Sequence, residues 1–248
     1  MEKNIKLIRA LVMGGIALAV AGGIAALTLL VFIPLRNYNR ASTLEQQGDL
    51  AGAFDTYDRV GDFRDALDRK LALQQAVFAT RSAPSMDFGG YTWLVLEEKD
   101  GKALLLLRDT LEAMSYNETM TPTDWASSTL RQWLNDGFYN SFSEKDRPRV
   151  AETAVKNDNS VDYRVAGGKD TDDHVFLLSL AEAKLYFADD AARIARGPKG
   201  QNAYWWLRSP GAEPILAAIV QSDGSLGFAG SGMTFGERYV RPAMWVTK

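Results

Sequence analysis

Between Leu11 and Leu35 the chain runs for 25 residues without a charged side chain, and that stretch constrains the rest more than any motif does. As a helix it reaches about 37 Å at ~1.5 Å per residue, enough to cross a hydrocarbon core of ~30 Å. Thirteen of its residues are Leu, Ile, Val or Phe, each favouring insertion by roughly 0.3–0.6 kcal/mol at mid-membrane. Pro34 stands where such a helix can end without losing interior bonds. A cleaved signal peptide also opens with cations and an apolar run, but its apolar core is usually ~7–15 residues and precedes a small-x-small site. Ile33-Pro34-Leu35-Arg36-Asn37 offers no such site, so a transmembrane helix that stays in place over residues 11–35 is expected. Lys3, Lys6 and Arg9 outnumber Arg36 and Arg40, which keeps residues 1–10 cytoplasmic and sends the C-terminal part outside, as a single-pass protein of the cell membrane. Gly15, Ala19 and Gly23 repeat at four-residue spacing, a face through which two such helices can form a homodimer, although small residues are common in membrane helices anyway.

Charge divides the chain in the same way. Residues 1–40 hold five cations and one acid; removing them from totals of 28 and 31 leaves 23 cations against 30 acids, a net charge of −7. A body of that sign lacks the basic footprint that nucleic acid demands. There is no cysteine, which excludes disulfide scaffolds, thiolate metal sites and cysteine nucleophiles, and one histidine, His174, which excludes multi-histidine metal sites.

Residues 36–80 are polar, Ala-rich and helix-periodic. Gly48–Ala53 and Gly61–Ala66 echo each other, each with a glycine to end one helix and an aspartate, Asp49 or Asp62, to cap the next. Leu50, Ala53, Phe54 and Tyr57 fall on one face, and Ala66, Leu67, Leu71 and Leu73 continue a similar stripe. Gly48, Leu50, Ala53 and Tyr57 resemble the small and large positions of a tetratricopeptide-like helical pair. One and a half repeats are too few for a groove of their own, so the segment reads as a stalk or as a docking element. Residues 81–87 concentrate Ser and Pro and read as a linker.

The head, residues 88–248, holds all six tryptophans. Tyr91–Glu97 and Ala103–Arg108 flank an Asp100-Gly101 hairpin turn. Ser127–Phe142 carries Leu130, Trp133, Leu134 and Phe138 at helical spacing. Val175–Leu178 reads as a short strand, followed by a helix whose Ser179 and Glu182 form a capping box. Tyr204–Arg208, Ala217–Gln221, Leu226–Phe228 and Val240–Val246 read as late strands, whereas Ala229–Met233 and Gly236 have little preference for either helix or strand. The expected fold class is α+β with a largely antiparallel sheet.

Three blocks, Tyr204-Trp205-Trp206-Leu207-Arg208-Ser209-Pro210-Gly211, then Asp223-Gly224, then Val240-Arg241-Pro242-Ala243, resemble an uncharacterised bacterial domain family. The resemblance covers residues 88–248 and implies a C-type-lectin-like fold, related to formylglycine-generating enzymes and to variable ligand-binding proteins. It implies no activity, and the enzymes of that fold rely on cysteines absent here.

Chemistry-bearing residues are correspondingly few. His174 follows Asp170-Thr171-Asp172-Asp173 with no nucleophile elbow nearby, and reads as a solvated loop histidine rather than part of a triad. Asp158, Asp162, Asp170, Asp172 and Asp173 lack the spacing and turn glycine of an EF-hand loop. Glu213-Pro214-Ile215 departs at its third position from the triplet by which sugar-binding lectins hold calcium. No catalytic residue, metal ligand or cofactor is therefore expected. Strand alternation places Tyr204, Trp206 and Arg208 on one face, where stacking and bidentate hydrogen bonding are on offer, with Asp223 and Arg238 as a polar rim. The bland alternative is that the tryptophans pack and that Arg208 or Arg241 ties loops together. Three functions follow in order: an anchored extracellular module binding a protein or glycan, an envelope scaffold that uses its helical stalk, and, last, an envelope hydrolase.

Overall fold

The computed structural model describes residue 25 and residues 27–79, 84–160 and 162–248. Most of the expected membrane span, including Gly15, Ala19 and Gly23, lies outside them, as do residues 1–10 and the first part of the linker. Among the described residues no helix is long and apolar enough to cross a membrane. The chain divides into two compact units, one ending at Ala72 and the other running from Leu73 to Lys248.

In the first unit a π-helical turn, Thr28–Phe32, leads without interruption into α1, Ile33–Gln46. Pro34 was expected to end the helix; it occupies the first turn of α1 instead. Proline removes one backbone donor and crowds the carbonyl four residues back, and the wider turn just before it, with Ile33 N–H reaching Thr28 O, is one way a helix accommodates that. Leu27, Leu29, Leu30, Val31, Phe32 and Ile33 are all exposed on this segment.

Gly48, at φ 78°, closes the exit from α1, and Asp49 caps α2, Leu50–Val60, by accepting from Gly52 N–H. Ala53, Phe54 and Tyr57 are buried as the periodicity predicts. Gly61 ends α2, but α3 begins three residues later than a cap at Asp62 implies, at Ala66, and runs to Ala79. The buried face of α3 also differs: Ala66, Leu73 and Val77 are inside, while Leu67 and Leu71 are about half exposed. A polar knot explains the choice. Tyr38 donates its hydroxyl to Asp65, receives Arg69 Nε at 3.1 Å, and packs edge-on to Tyr57, whose own hydroxyl bonds Glu45 at 3.0 Å. Facing Arg69 toward this knot turns Leu67 and Leu71 outward.

Among its described residues the second unit contains three antiparallel sheets. The largest takes β1 (Ser85–Phe88), β2 (Tyr91–Lys99), β3 (Lys102–Leu107), β10 (Ala243–Thr247) and β4 (Val150–Ala151) in that order. Ser85 to Asp87 had read as linker, yet they pair with β2, which makes them part of the sheet. Asp100 and Gly101 both have positive φ, the two-residue turn that twists as the flanking strands do. A bulge after Val95 makes Glu97, rather than Leu96, the partner of Leu104. This re-aims Glu97, which is buried and accepts the Tyr186 hydroxyl at 2.7 Å. The second sheet is β7 (Trp205–Pro210), β8 (Leu216–Val220) and β9 (Leu226–Gly232), and a short pair joins β5 (Thr153–Val155) to β6 (Thr171–Asp173).

Val175–Leu178, expected as a strand, forms none. Instead Phe176 bridges Ala243 on one side and Leu178 O accepts Arg208 N–H on the other, so a single extended segment links two sheets. The expected amphipathic helix is present in three pieces: α4 (Thr129–Trp133, capped by Ser128), a π-helical turn (Leu134–Phe138) and α5 (Tyr139–Ser141). The capping box is also present, with Ser179 and Glu182 bonding reciprocally at the start of α6, Leu180–Tyr186. The other end of α6 is closed by Gln74, whose amide reaches the carbonyls of Lys184, Leu185 and Phe187. A short α7, Asp190–Arg193, precedes the second sheet.

Candidate functional site

Trp206 and Arg208 do not form a surface. All of β7 except Ser209 is buried, because its second face is covered as fully as its first. Trp205 Nε1 donates to Arg193 O, and Trp206 Nε1 donates to Met114 O at 2.8 Å while its ring meets Tyr116 edge-on at 5.6 Å. Arg208 forms a bidentate pair with Glu182 and also donates to Leu177 O and Lys156 O. Burial works against its charge, while Glu182 opposes that and holds the guanidinium above its ordinary range. Ser209 Oγ accepts Leu180 N–H at the start of α6. Arg241 is buried, donates to Leu107 O, Arg108 O and Arg193 O, and lies 4.8 Å from the Trp205 ring centre. Desolvation pushes it down to about 9, with the Asp109 charge opposing. The blocks that carried the family resemblance thus hold the fold together.

The acidic segment is similarly committed. Asp173 is buried and takes Arg131 Nε at 2.6 Å, Trp125 Nε1 at 2.9 Å and Thr171 Oγ1 at 2.8 Å. Asp170 caps Asn157 N–H. His174 is no solvated loop residue: its ring stacks on Tyr139 at 4.1 Å, 3° from parallel, and its backbone N–H donates to Asn135 Oδ1. Among the described residues no group of three or more His, Asp or Glu side chains could hold a metal ion. Asp223 is exposed and turns inward on its own turn, accepting Ser225 N–H and Oγ. The Ser225 hydroxyl in particular holds its carboxyl below the usual range. Its partners in these bonds lie within that turn, and no hydrogen bond or ion pair joins it to Tyr204 or Arg238.

Tyr204 and Arg238 do come together, and the backbone places them. Tyr239 N–H bonds Tyr204 O at 2.8 Å and Trp206 N–H bonds Tyr239 O at 3.1 Å; on the other flank Val240 N–H bonds Glu112 O and Met114 N–H bonds Arg238 O. The segment 238–240 is thereby clamped between residues 112–114 and 204–206. The Arg238 guanidinium lies 4.9 Å from the Tyr204 ring centre and 5.9 Å from that of Phe235. Phe235 and Met120 both approach Gly232, near enough that a Cβ there would meet each within 3.4 Å. The result is a strip, Tyr204–Arg238–Phe235–Met120, in which the guanidinium bridges the two rings and Met120 stands near Phe235 across Gly232. Among the described residues of the second unit five large apolar or aromatic side chains stand exposed, Tyr91, Met120, Tyr163, Tyr204 and Phe235, and three of them are in this strip. Beside Met120 lies a hydroxyl cluster in which Asn117 Nδ2 reaches Thr119 and Thr123, and Thr119 meets Thr121.

Sequence reading alone did not single out Phe235 or Met120. Each carried a signal: Phe235 is a lone aromatic before a glycine in a polar loop, and Met120 stands alone between threonines. Large apolar residues in loops with no periodic partner are candidates for contact.

An α+β domain of antiparallel sheets, with an aromatic and cationic strip on its surface and its strongest motifs turned inward, is the class of protein that this geometry defines. A family model described as a domain of unknown function, DUF6273, matches residues 100–248, and the chain belongs to that family. No curated protein and no solved structure matches it.

Proposed function

We propose that the chain is a membrane-anchored binding protein of a bacterial cell envelope, tethered by residues 11–35, whose extracellular head captures a protein or glycan through the strip Tyr204–Arg238–Phe235–Met120. The strip carries the reading. Aromatic rings with a guanidinium between them offer apolar area, stacking and directional hydrogen bonds at one place, the combination that dominates the energetics of recognition surfaces. Anchoring is supported by the charge-free run and by the exposed Leu27–Ile33 helix surface at its end. A C-type-lectin-like kinship of the head is supported by the motif resemblance, and its antiparallel sheets are compatible with it.

The test uses the full chain in lipid nanodiscs, probed on glycan and protein arrays beside Tyr204→Ala and Phe235→Ala. Capture of a defined ligand that both variants weaken at least about tenfold, for the loss of an anchor residue, supports the strip. Capture unchanged in both variants removes it. A second reading, an envelope scaffold working through its helical stalk, has its own observation in the exposed Leu67–Leu71 pair on α3. It predicts that Leu67→Ser with Leu71→Ser, and not the strip variants, releases a co-purifying protein.

A further inference from the structure

We infer that the strip recognises a carboxylate of a peptide, with the carboxylate on Arg238 and flanking apolar side chains on Phe235, Met120 and Tyr204; this rests on the strip being a binding surface.

The argument comes from how the second unit uses its arginines. Arg131 pairs with Asp173, Arg193 with Asp190 and Arg208 with Glu182, and Arg241 spends its fork on three carbonyls. Arg238 does none of these. Its guanidinium is held by the Tyr204 and Phe235 rings, and no carboxylate among the described residues pairs with it. Its Nε is buried without an acceptor. A guanidinium already stripped of part of its water and fixed in direction has little left to lose when an anion arrives, which favours binding by cutting its cost. Its planar fork matches a carboxylate, and charge-assisted bonds of that kind are about twice as strong as neutral ones.

The head as a whole is acidic, and Glu237 is exposed next to Arg238. Head charges farther than about 10 Å are largely screened in ordinary salt. The adjacent Glu237 is not screened and weakens the attraction, but it forms no ion pair with Arg238 and leaves the fork open to direct contact. A peptide fits better than a small free acid. Tyr204, Phe235 and Met120 are 37%, 55% and 49% exposed along an open strip, which a short molecule would cover in part and an extended chain with apolar residues on both sides of its acid would cover along its length.

Binding of acetyl-Leu-Glu-Phe-amide and acetyl-Leu-Gln-Phe-amide to the full chain in nanodiscs, followed by NMR of the peptide, tests this. The expected result is at least about tenfold preference for the Glu peptide, as for one charged hydrogen-bonded contact. Arg238→Gln should abolish that preference, and Arg238→Lys, which keeps the charge and loses the fork, should retain part of it and stands in if Arg238→Gln fails to fold. Equal binding of the two peptides, a preference that survives Arg238→Gln, or no binding of either overturns the inference. A neutral oligosaccharide whose binding falls with Tyr204→Ala and not with Arg238→Gln overturns the carboxylate and leaves the strip standing. Glu-peptide binding untouched by Tyr204→Ala and Phe235→Ala overturns the strip itself.

Discussion

Arg208 shows how a residue that reads as a ligand contact becomes part of the interior. Alternation along a strand identifies two faces, but it says nothing about whether one of them is open, and in β7 both are covered. What remains outside is the residue before the strand, Tyr204, and a partner 34 positions away, Arg238, whose pairing only the tertiary ladder could supply. The Glu182 carboxylate is shared between the Ser179 N–H and both terminal nitrogens of Arg208. Glu182→Gln replaces one acceptor with a donor facing a buried cation, and we expect a loss of about 3–5 kcal/mol, the usual cost of breaking a buried pair from one side. Urea melts followed by tryptophan fluorescence measure it; a loss under 1 kcal/mol would mean that water reaches the pair. The buried tyrosines set an alkaline limit. Burial, reinforced by Asp124, raises the Tyr116 hydroxyl; burial and Glu97 raise Tyr186; burial and Glu45 push Tyr57 up to about 12. Above about pH 10 the unfolded chain gives up these protons while the folded chain keeps them, so stability present below pH 10 is lost as the pH rises. Tyr116→Phe forfeits the bond to Arg208 O, worth about 1 kcal/mol, and should flatten the decline between pH 9 and 11. An unchanged slope would show that Tyr116 ionises normally.

Elements whose signals are local were legible in the sequence. The Asp100-Gly101 turn, the Ser179–Glu182 box and the Asp49 cap each depend on a few adjacent residues and appear as read. Elements fixed by distant partners were not. The glycine-rich run after Leu226 has little strand preference of its own, yet β9 extends to Gly232, because Gly232 and Ser231 pair with Leu216 and Ala217. Glycine serves there by letting backbones approach: a Cβ on Gly230 or Gly211 would meet a carbonyl of the neighbouring strand, Ala217 O or Ala229 O respectively. Val175–Leu178 failed in the other direction, since its apolar run serves bridges to two sheets. Two turns separate conformational strain from contact. Gly101 and Gly224 both have positive φ, 72° and 86°, but a Cβ at Gly101 meets open space while one at Gly224 runs into Asp190 O. Gly101→Ala should therefore cost about 1–2 kcal/mol, the strain alone, and Gly224→Ala about 3 kcal/mol or more. Equal thermal shifts for the two would mean that the β8–β9 turn does not pack on α7.

At the scale of the molecule, the family match and the folding unit have different boundaries. The match begins at residue 100, in the turn between β2 and β3. Everything upstream would then be dispensable if matched residues were sufficient to fold, and the packing argues otherwise. β3 is flanked by β2 on one side and β10 on the other, so removing residues before 100 strips one whole edge from the main sheet. It also removes Trp93, Val95 and Leu96, all buried, and leaves the buried Tyr186 without Glu97. Losing α3 as well takes Gln74 from three carbonyls at the end of α6 and Leu73 and Val77 from the core. Each buried large side chain lost costs on the order of 2–5 kcal/mol, against a total stability of roughly 5–15 kcal/mol for a domain. Several such losses exceed the whole. A fragment of residues 100–248 is therefore expected to be unfolded or aggregated through its exposed β3 edge, whereas residues 73–248 should give a dispersed amide NMR spectrum and a cooperative melt. A cooperative melt from 100–248 would show that the matched segment carries its own core, and that β1, β2 and α3 merely cover it.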